Sequence, residues 1–243
     1  MIAISLDTEW VPDEVLDYAL DIILSYRVKL TIFATHKTSL LRGLDRSQVE
    51  IGVHPNFRPL ALDDKEACQR TIANLLDMYP EAQGVRCHSL VSSIPLSDLF
   101  ASMGFKYECN MFLPYQPGLT PYRLWNGLVR IPIYWQDDLH CMYGKGFDLE
   151  PDLVNGPGVK VFSAHPPQIF MNVEKQSRYL EAKLFYHQPE KLRGLRYSGQ
   201  GVRTFTKDLC AYISNNNVPS FTLSEIASTT PLETYTVQTK ERV

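Results

Sequence analysis

Asp7 and Glu9 stand two residues apart at the end of a short apolar run, Ile4-Ser5-Leu6-Asp7-Thr8-Glu9-Trp10. Four more runs end in polar residues of the same chemical kind. They are Glu50-Ile51-Gly52-Val53-His54-Pro55-Asn56, Gly84-Val85-Arg86-Cys87-His88, Ile131-Pro132-Ile133-Tyr134-Trp135-Gln136-Asp137-Asp138 and Val159-Lys160-Val161-Phe162-Ser163-Ala164-His165. An extended backbone would place Asp7 and Glu9 on the same side, and two neighbouring carboxylates repel unless a cation neutralises one, so one can bind a metal while the other stays basic. His54 and His88 would complete a two-histidine, one-carboxylate set that leaves positions open for water and substrate. Arg86, among apolar residues, needs an acidic partner if buried, and Asp7 is the candidate. His165 could protonate a leaving amine, with Asp137 or Asp138 bonded to it and lifting its pKa. Taken singly, each residue also has a plainer reading. Asp7 and Glu9 could cap a helix starting near Pro12, His54 could be a satisfied core or loop histidine, and Arg86 could form a surface pair. The recurrence at five run ends is what favours one shared site.

Around that set, Trp10, Asn56, Trp135 and His140 are candidates to line a substrate groove. Trp135 suits stacking on a sugar ring, although a core tryptophan fits equally well. His36 and His187 read as structural or surface residues.

The apolar runs, rich in Val and Ile, read as buried strands. Val15–Tyr26, Leu60–Met78 (opened by Asp63 and Asp64) and Pro95–Met103 carry helical periodicity, and Leu30–Ala34 and Phe105–Glu108 read as strands between them. This alternation predicts a parallel α/β arrangement, and ligand-type residues at several strand ends are how a barrel builds a site. Residues 113–128 read as a long loop, 174–190 as helical with a charged face, and 193–201 as a flexible polar loop. Gly201–Ile213 reads as the final helix and Pro219–Leu223 as the last strand. No linker splits the chain, so one domain over 1–228 is expected, followed by a polar tail over 229–243.

With 243 residues and 44% apolar content, the chain can bury a sizeable core. Its net charge of −3, with no long basic run, argues against a nucleic-acid partner. Five cysteines without a CxxC spacing favour thiols in a reducing cytosol over a disulfide framework or a thiolate zinc site. No apolar stretch is long enough to span a membrane, and no leader pattern opens the sequence, so a cytoplasmic protein is expected.

In this order, the five motifs resemble the NodB-homology (polysaccharide deacetylase) superfamily, carbohydrate esterase family 4. The likeness is greatest to the WbmS-like subgroup associated with surface-polysaccharide synthesis. It implies a distorted (β/α)7-type barrel and a metal-dependent deacetylase acting on an acetylated sugar or sugar precursor, with N-acetyl favoured over O-acetyl. It implies Asp7 as base, Arg86 orienting it, and His165 as acid with Asp137 or Asp138 behind it. It also implies a divalent ion, taken as Zn2+ with Mn2+, Fe2+ or Ni2+ as alternatives. Two departures stand out. The family's second metal histidine, four residues after the first, is Arg58 here, so His88 is expected to complete the set. The acidic ligand falls at Glu9, where many members use the preceding position, here Thr8. Two rival readings keep the barrel: a hydrolase of a non-sugar amide, and a degenerate barrel that binds carbohydrate without metal. Oligomeric state is not legible.

Overall fold

The computed structural model describes residues 1–62 and 64–231, so Asp63 and most of the expected tail lie outside the described residues. Nine strands run in the order β1 Ile2–Asp7, β2 Leu30–Ala34, β3 Val49–Val53, β4 Gly84–Val85, β5 Tyr107–Phe112, β6 Tyr122–Arg123, β7 Val129–Ile133, β8 Trp135–Gln136 and β9 Lys160–Ala164. The helices are α1 Asp13–Leu24, α2 Lys65–Leu76, α3 Ile94–Ser102, α4 Asp137–Met142, α5 Pro151–Val154, α6 Pro166–Met171, α7 Gln176–Ala182, α8 Pro189–Gly194, α9 Val202–Asn215 and α10 Leu223–Ser228.

The strand order is β6-β7-β5-β4-β3-β2-β1-β9-β8, parallel throughout except for the β6–β7 pair. β7 and β8 are separated by Tyr134 alone. β7 pairs with β5 while β8 pairs with β9, and Tyr134 N–H donates to Val161 O at 3.0 Å. One continuous stretch therefore leaves one neighbour and joins another, and, with the antiparallel β6 set aside, seven strand positions curl into the expected distorted barrel. Because the strands are parallel, the C-terminal ends of β1, β3, β4, β8 and β9 lie on one rim.

Alternation along β1 shows how the interior is filled. Ile2, Ile4 and Leu6 join the large apolar cluster with α1, α6 and α9, while Ala3 packs in the inner cluster with Phe33, Tyr107, Ile131, Ile133 and Val161. Leu223 and Ile226 of α10 belong to that inner cluster, so α10 plugs the barrel from below. Gly52 and Gly84 make room for the interior rings. A Cβ on Gly52 would stand 2.8 Å from Phe33, and one on Gly84 would stand 2.0 Å from Tyr107.

Three expectations change. Pro219–Leu223 is not a strand: Ser220 makes an isolated bridge to Ile2, and then Thr222 and Glu225 form a capping box that starts α10. The 174–190 stretch is not one helix, because α7 runs into a 3-10 turn at Lys183–Phe185 and α8 restarts at Pro189. The 193–201 segment is pinned: Asn172 Nδ2 donates to Tyr197 O at 3.0 Å and Gly199 O at 2.7 Å, and Arg178 donates to Leu195 O at 2.8 Å. The 113–128 loop contains only the short strand β6.

Candidate metal centre and catalytic residues

Asp7 closes β1 at the centre of the rim and is 2% exposed. Arg86, fully buried after β4, donates from Nη1 to Asp7 Oδ1 at 3.0 Å, to Ser5 Oγ at 2.9 Å and to Ser163 Oγ at 2.8 Å. Its Nε donates to Cys109 O at 3.1 Å, and its guanidinium lies 4.4 Å from the Phe33 ring centroid. Ser5, Ser163 and Asp7 thus grip Arg86 together, and Arg86 in turn fixes Asp7. Burial alone would make the guanidinium easier to deprotonate, but the Asp7 charge reverses that and keeps it a cation.

Glu9 does not share a strand face with Asp7, as the two-residue spacing suggested. The strand ends at Asp7, and Glu9 and Trp10 both take left-handed backbone, with φ of 49° and 54°. Such conformations are unfavourable for non-glycine residues and are held by surrounding structure. Here Trp10 N–H donates to Thr35 Oγ1 at 3.0 Å and Val11 N–H to Thr8 O at 3.1 Å. The reversal turns the Glu9 side chain back over the rim. Its Oε1 stands 3.0 Å from His54 Nε2 and 2.9 Å from His88 Nδ1. The two imidazoles meet edge to face at 5.8 Å, and the Trp10 ring abuts His88 at 5.4 Å. Burial works to raise the Glu9 pKa, and the bonds from His54 and His88 outweigh it, leaving the carboxyl well below the usual range.

These three groups fit a divalent ion. Donor bonds of about 2.0–2.2 Å put neighbouring ligand atoms roughly 2.8–3.6 Å apart. The separations of 2.9 and 3.0 Å fall in that interval. A second observation concerns the other nitrogen of His54. Nδ1 is buried, has no hydrogen-bond partner among the described residues, and faces Asp7 Oδ1 at 3.9 Å. If Nε2 carried the proton to bond Glu9, Nδ1 would present a lone pair to a carboxylate. With Nε2 bound to a cation, the proton moves to Nδ1 and points at Asp7 instead.

His165 follows β9 and stands on the opposite side of Asp7, with Nε2 3.8 Å from Asp7 Oδ2. Its Nδ1 bonds Asp137 Oδ1 at 2.6 Å, and its backbone N–H donates to Asp137 Oδ2 at 2.7 Å. Both oxygens of the fully buried Asp137 are therefore committed to His165. That makes Asp137, Asp138 and His165 a held imidazole and not a second ion site, although their ligand atoms also lie close together. Burial pulls the His165 pKa down, but the Asp137 charge and hydrogen bond more than offset it and place it well above the ordinary value. Asp138 Oδ1 accepts from Leu139 N–H at 2.7 Å, and the residue lines the cavity.

Asp7, Glu9, His54, His88, Asp138 and His165 line one cavity of about 260 Å³. Two expected groove residues are elsewhere. Trp135 is 1% exposed and stacks on Phe205 at 4.4 Å and 13°, so it offers no face to a sugar. His140 Nδ1 accepts from Trp135 Nε1 at 2.9 Å and Nε2 faces Gly146 O at 2.7 Å, behind the site. Asn56 Oδ1 accepts from Arg58 N–H at 3.0 Å, which shapes the loop after His54. Trp10 stays at the rim, 37% exposed. The cavity wall also includes Arg58, Gln136, Gln168, Tyr179 and Lys183. Of these, Arg58 could be noticed in the sequence through its spacing from His54, and Gln136 only as a member of the run that ends at Asp137 and Asp138. Tyr179 and Lys183 arrive from α7 and the turn after it, and nothing local in that stretch shows that it crosses the mouth.

A barrel with this rim belongs with the polysaccharide deacetylases. The WbmS-like polysaccharide deacetylase family matches residues 4–183, and the chain belongs to that family. Among solved structures it is similar to a Bordetella bronchiseptica protein, WbmS, described as a polysaccharide deacetylase involved in O-antigen biosynthesis. Identity is 34% over 87% of this chain and 90% of that one, with a TM-score of 0.80. A Mycobacterium smegmatis structure named for the same activity shares the fold at 17% identity, covering 93% of this chain and 88% of that one, with a TM-score of 0.53. A peptidoglycan N-acetylglucosamine deacetylase does so at 12% identity over 93% and 86%, with a TM-score of 0.50. No curated protein matches the chain. Among the described residues, no helix is long and apolar enough to cross a membrane.

Proposed function

We propose that the chain hydrolyses an acetyl group, N-acetyl in preference to O-acetyl, from a sugar used in surface-polysaccharide synthesis, with a divalent ion held by Glu9, His54 and His88. The observation that carries this reading is the position of Asp7. Its two oxygens face His54 at 3.9 Å and His165 at 3.8 Å, so one carboxylate stands between the candidate ion site and a carboxylate-held imidazole. An ion there supplies Lewis-acid polarisation of the acetyl carbonyl and a lower pKa for attacking water.

The chain's own residues account for the protons. Asp7, aimed by Arg86, accepts the proton of the attacking water as the new C–O bond forms. His165, held by Asp137 through Nδ1, delivers its Nε2 proton to the departing nitrogen as the C–N bond breaks, giving acetate and a free amine. Similarity to the Bordetella protein supports an O-antigen-type precursor as substrate. Arg58 and Lys183, which line the cavity and have no ion-pair partner among the described residues, favour a substrate carrying phosphate, such as a nucleotide-linked sugar. Buried thiols at Cys87, Cys109 and Cys210 suit a reducing, cytoplasmic setting.

Acetate release from nucleotide-linked and free N-acetyl sugars tests the reading. The expectation is turnover by the metal-loaded protein, faster on the nucleotide-linked form, and loss of turnover in a folded His54→Ala variant. Undiminished turnover in His54→Ala would overturn the assignment.

A further inference from the structure

Gln168 is 1% exposed and lines the cavity with Asp7, Glu9, His54 and His165, yet neither Oε1 nor Nε2 of its amide has a hydrogen-bond partner among the described residues. Gln136 lines the same cavity, is 6% exposed, and its Oε1 is likewise unpartnered. Exchanging O and N by an amide flip cannot cure Gln168, because both of its polar atoms are orphaned. Native interiors keep few such groups, and those they keep call for a reason.

Their placement supplies one. Gln136 ends β8 directly before Asp137, and Gln168 lies in the first turn of α6, with its N–H donating to His165 O at 3.0 Å. The two amides therefore sit on the two elements that hold the Asp137–His165 pair.

We propose that Gln168, assisted by Gln136, is the specificity-determining residue that reads the sugar. Swung from its buried position toward the cavity, its amide accepts from one ring hydroxyl and donates to a neighbouring one, on the side of the substrate where His165 delivers its proton. A glutamine amide offers an acceptor and two donors side by side, the complement of vicinal hydroxyls. It is also neutral, so it does not disturb the charge balance of Asp7, Glu9 and His165. Polar groups that stay unpaired unless the right substrate arrives discriminate strongly against analogues lacking the matching hydroxyl. The inference rests on the deacetylase reading and deepens it, assigning a polyhydroxylated ring and not a simple aliphatic amide as substrate.

The test is Gln168→Met, which keeps the volume and removes the amide. If the amide is held unpaired for substrate, the melting temperature stays level or rises by about 2–4 °C. At the same time, kcat/KM for an acetylated hexosamine, or the affinity for N-acetylglucosamine read by calorimetry, falls about tenfold. Wild type should discriminate against 3-deoxy-N-acetylglucosamine, and the variant should lose that discrimination. A fall in melting temperature with kinetics and affinity unchanged would mean that the amide serves the fold, and the proposal would be wrong. Failure of the deacetylase reading shows separately, as wild type that releases no acetate from any acetylated sugar; the melting and calorimetric arms still decide the role of Gln168.

Discussion

Arg86 donates from Nη1 to Asp7 Oδ1 over 3.0 Å with both side chains withdrawn from solvent. A charge in that position cannot be removed from one partner without leaving the other buried and uncompensated. Arg86→Met is therefore expected to destabilise the fold by about 3–5 kcal/mol, measured by urea unfolding. Asp7→Asn keeps an acceptor for Arg86 and so should cost less stability than Arg86→Met while removing the proposed base; at a temperature where the variant is folded, kcat for acetate release should fall about 10²–10⁴-fold. An Asp7→Asn protein with near-normal kcat would dismiss Asp7 as the base.

This pair also marks how far the sequence could be read. Each strand that delivers a site residue is a short apolar run closed by a polar cluster, so Asp7, His54, Arg86, Asp137 and His165 were legible as rim residues without coordinates. What failed were inferences that needed the backbone path. Asp7 and Glu9 looked co-facial because strand alternation was extended past residue 7, whereas the left-handed turn at Glu9 and Trp10 breaks the alternation. Trp135 looked like a sugar platform because composition cannot tell an exposed indole from one stacked on Phe205, seventy residues later in the chain. The capping box at Thr222 and Glu225 was a readable helix signal that the neighbouring Phe221 and Leu223 masked. Gln168 has no local signature at all, since what singles it out is an amide without partners among the described residues.

The Asp137–His165 pair gives a pH prediction with a definite sign. His165 must be protonated to act, and its pKa is held above the ordinary value by Asp137. The alkaline limb of kcat/KM should accordingly lie above pH ~6.5. Asp137→Asn removes the charge that holds the proton, so the limb should move to lower pH. The stability term runs the same way. A group whose folded pKa is raised contributes fully below its unfolded value of about 6.5 and loses that contribution as pH rises through the folded value. The melting-temperature gap between wild type and Asp137→Asn should close at high pH, and a gap that widens there would contradict the pairing.

The stacking of Trp135 on Phe205 predicts a separation of stability from binding. Trp135→Ala should cost about 3–5 kcal/mol in unfolding free energy, because it empties a packed aromatic cluster and strips His140 Nδ1 of the indole donor. At a temperature where the variant remains folded, KM for the acetylated sugar should match wild type. A raised KM with unchanged stability would return Trp135 to the substrate groove.

The candidate ion site is the assignment most open to direct measurement. Elemental analysis of purified protein should find one divalent ion per chain, and chelation should abolish acetate release until the ion is restored. An ion that binds only the folded state stabilises it by about 2.7 kcal/mol at one hundred times its Kd, so titrated Zn2+ should raise the melting temperature. Glu9→Ala, His54→Ala and His88→Ala should each suppress that rise. His88 is the sharpest case, because the proposed site has it take the place of a ligand that the resemblance would put four residues after His54, where this chain has Arg58. If His88→Ala keeps the full thermal shift and one ion per chain, Glu9 and His54 must find their third partner elsewhere. The 2.9 Å approach of His88 to Glu9 would then be an ordinary hydrogen bond.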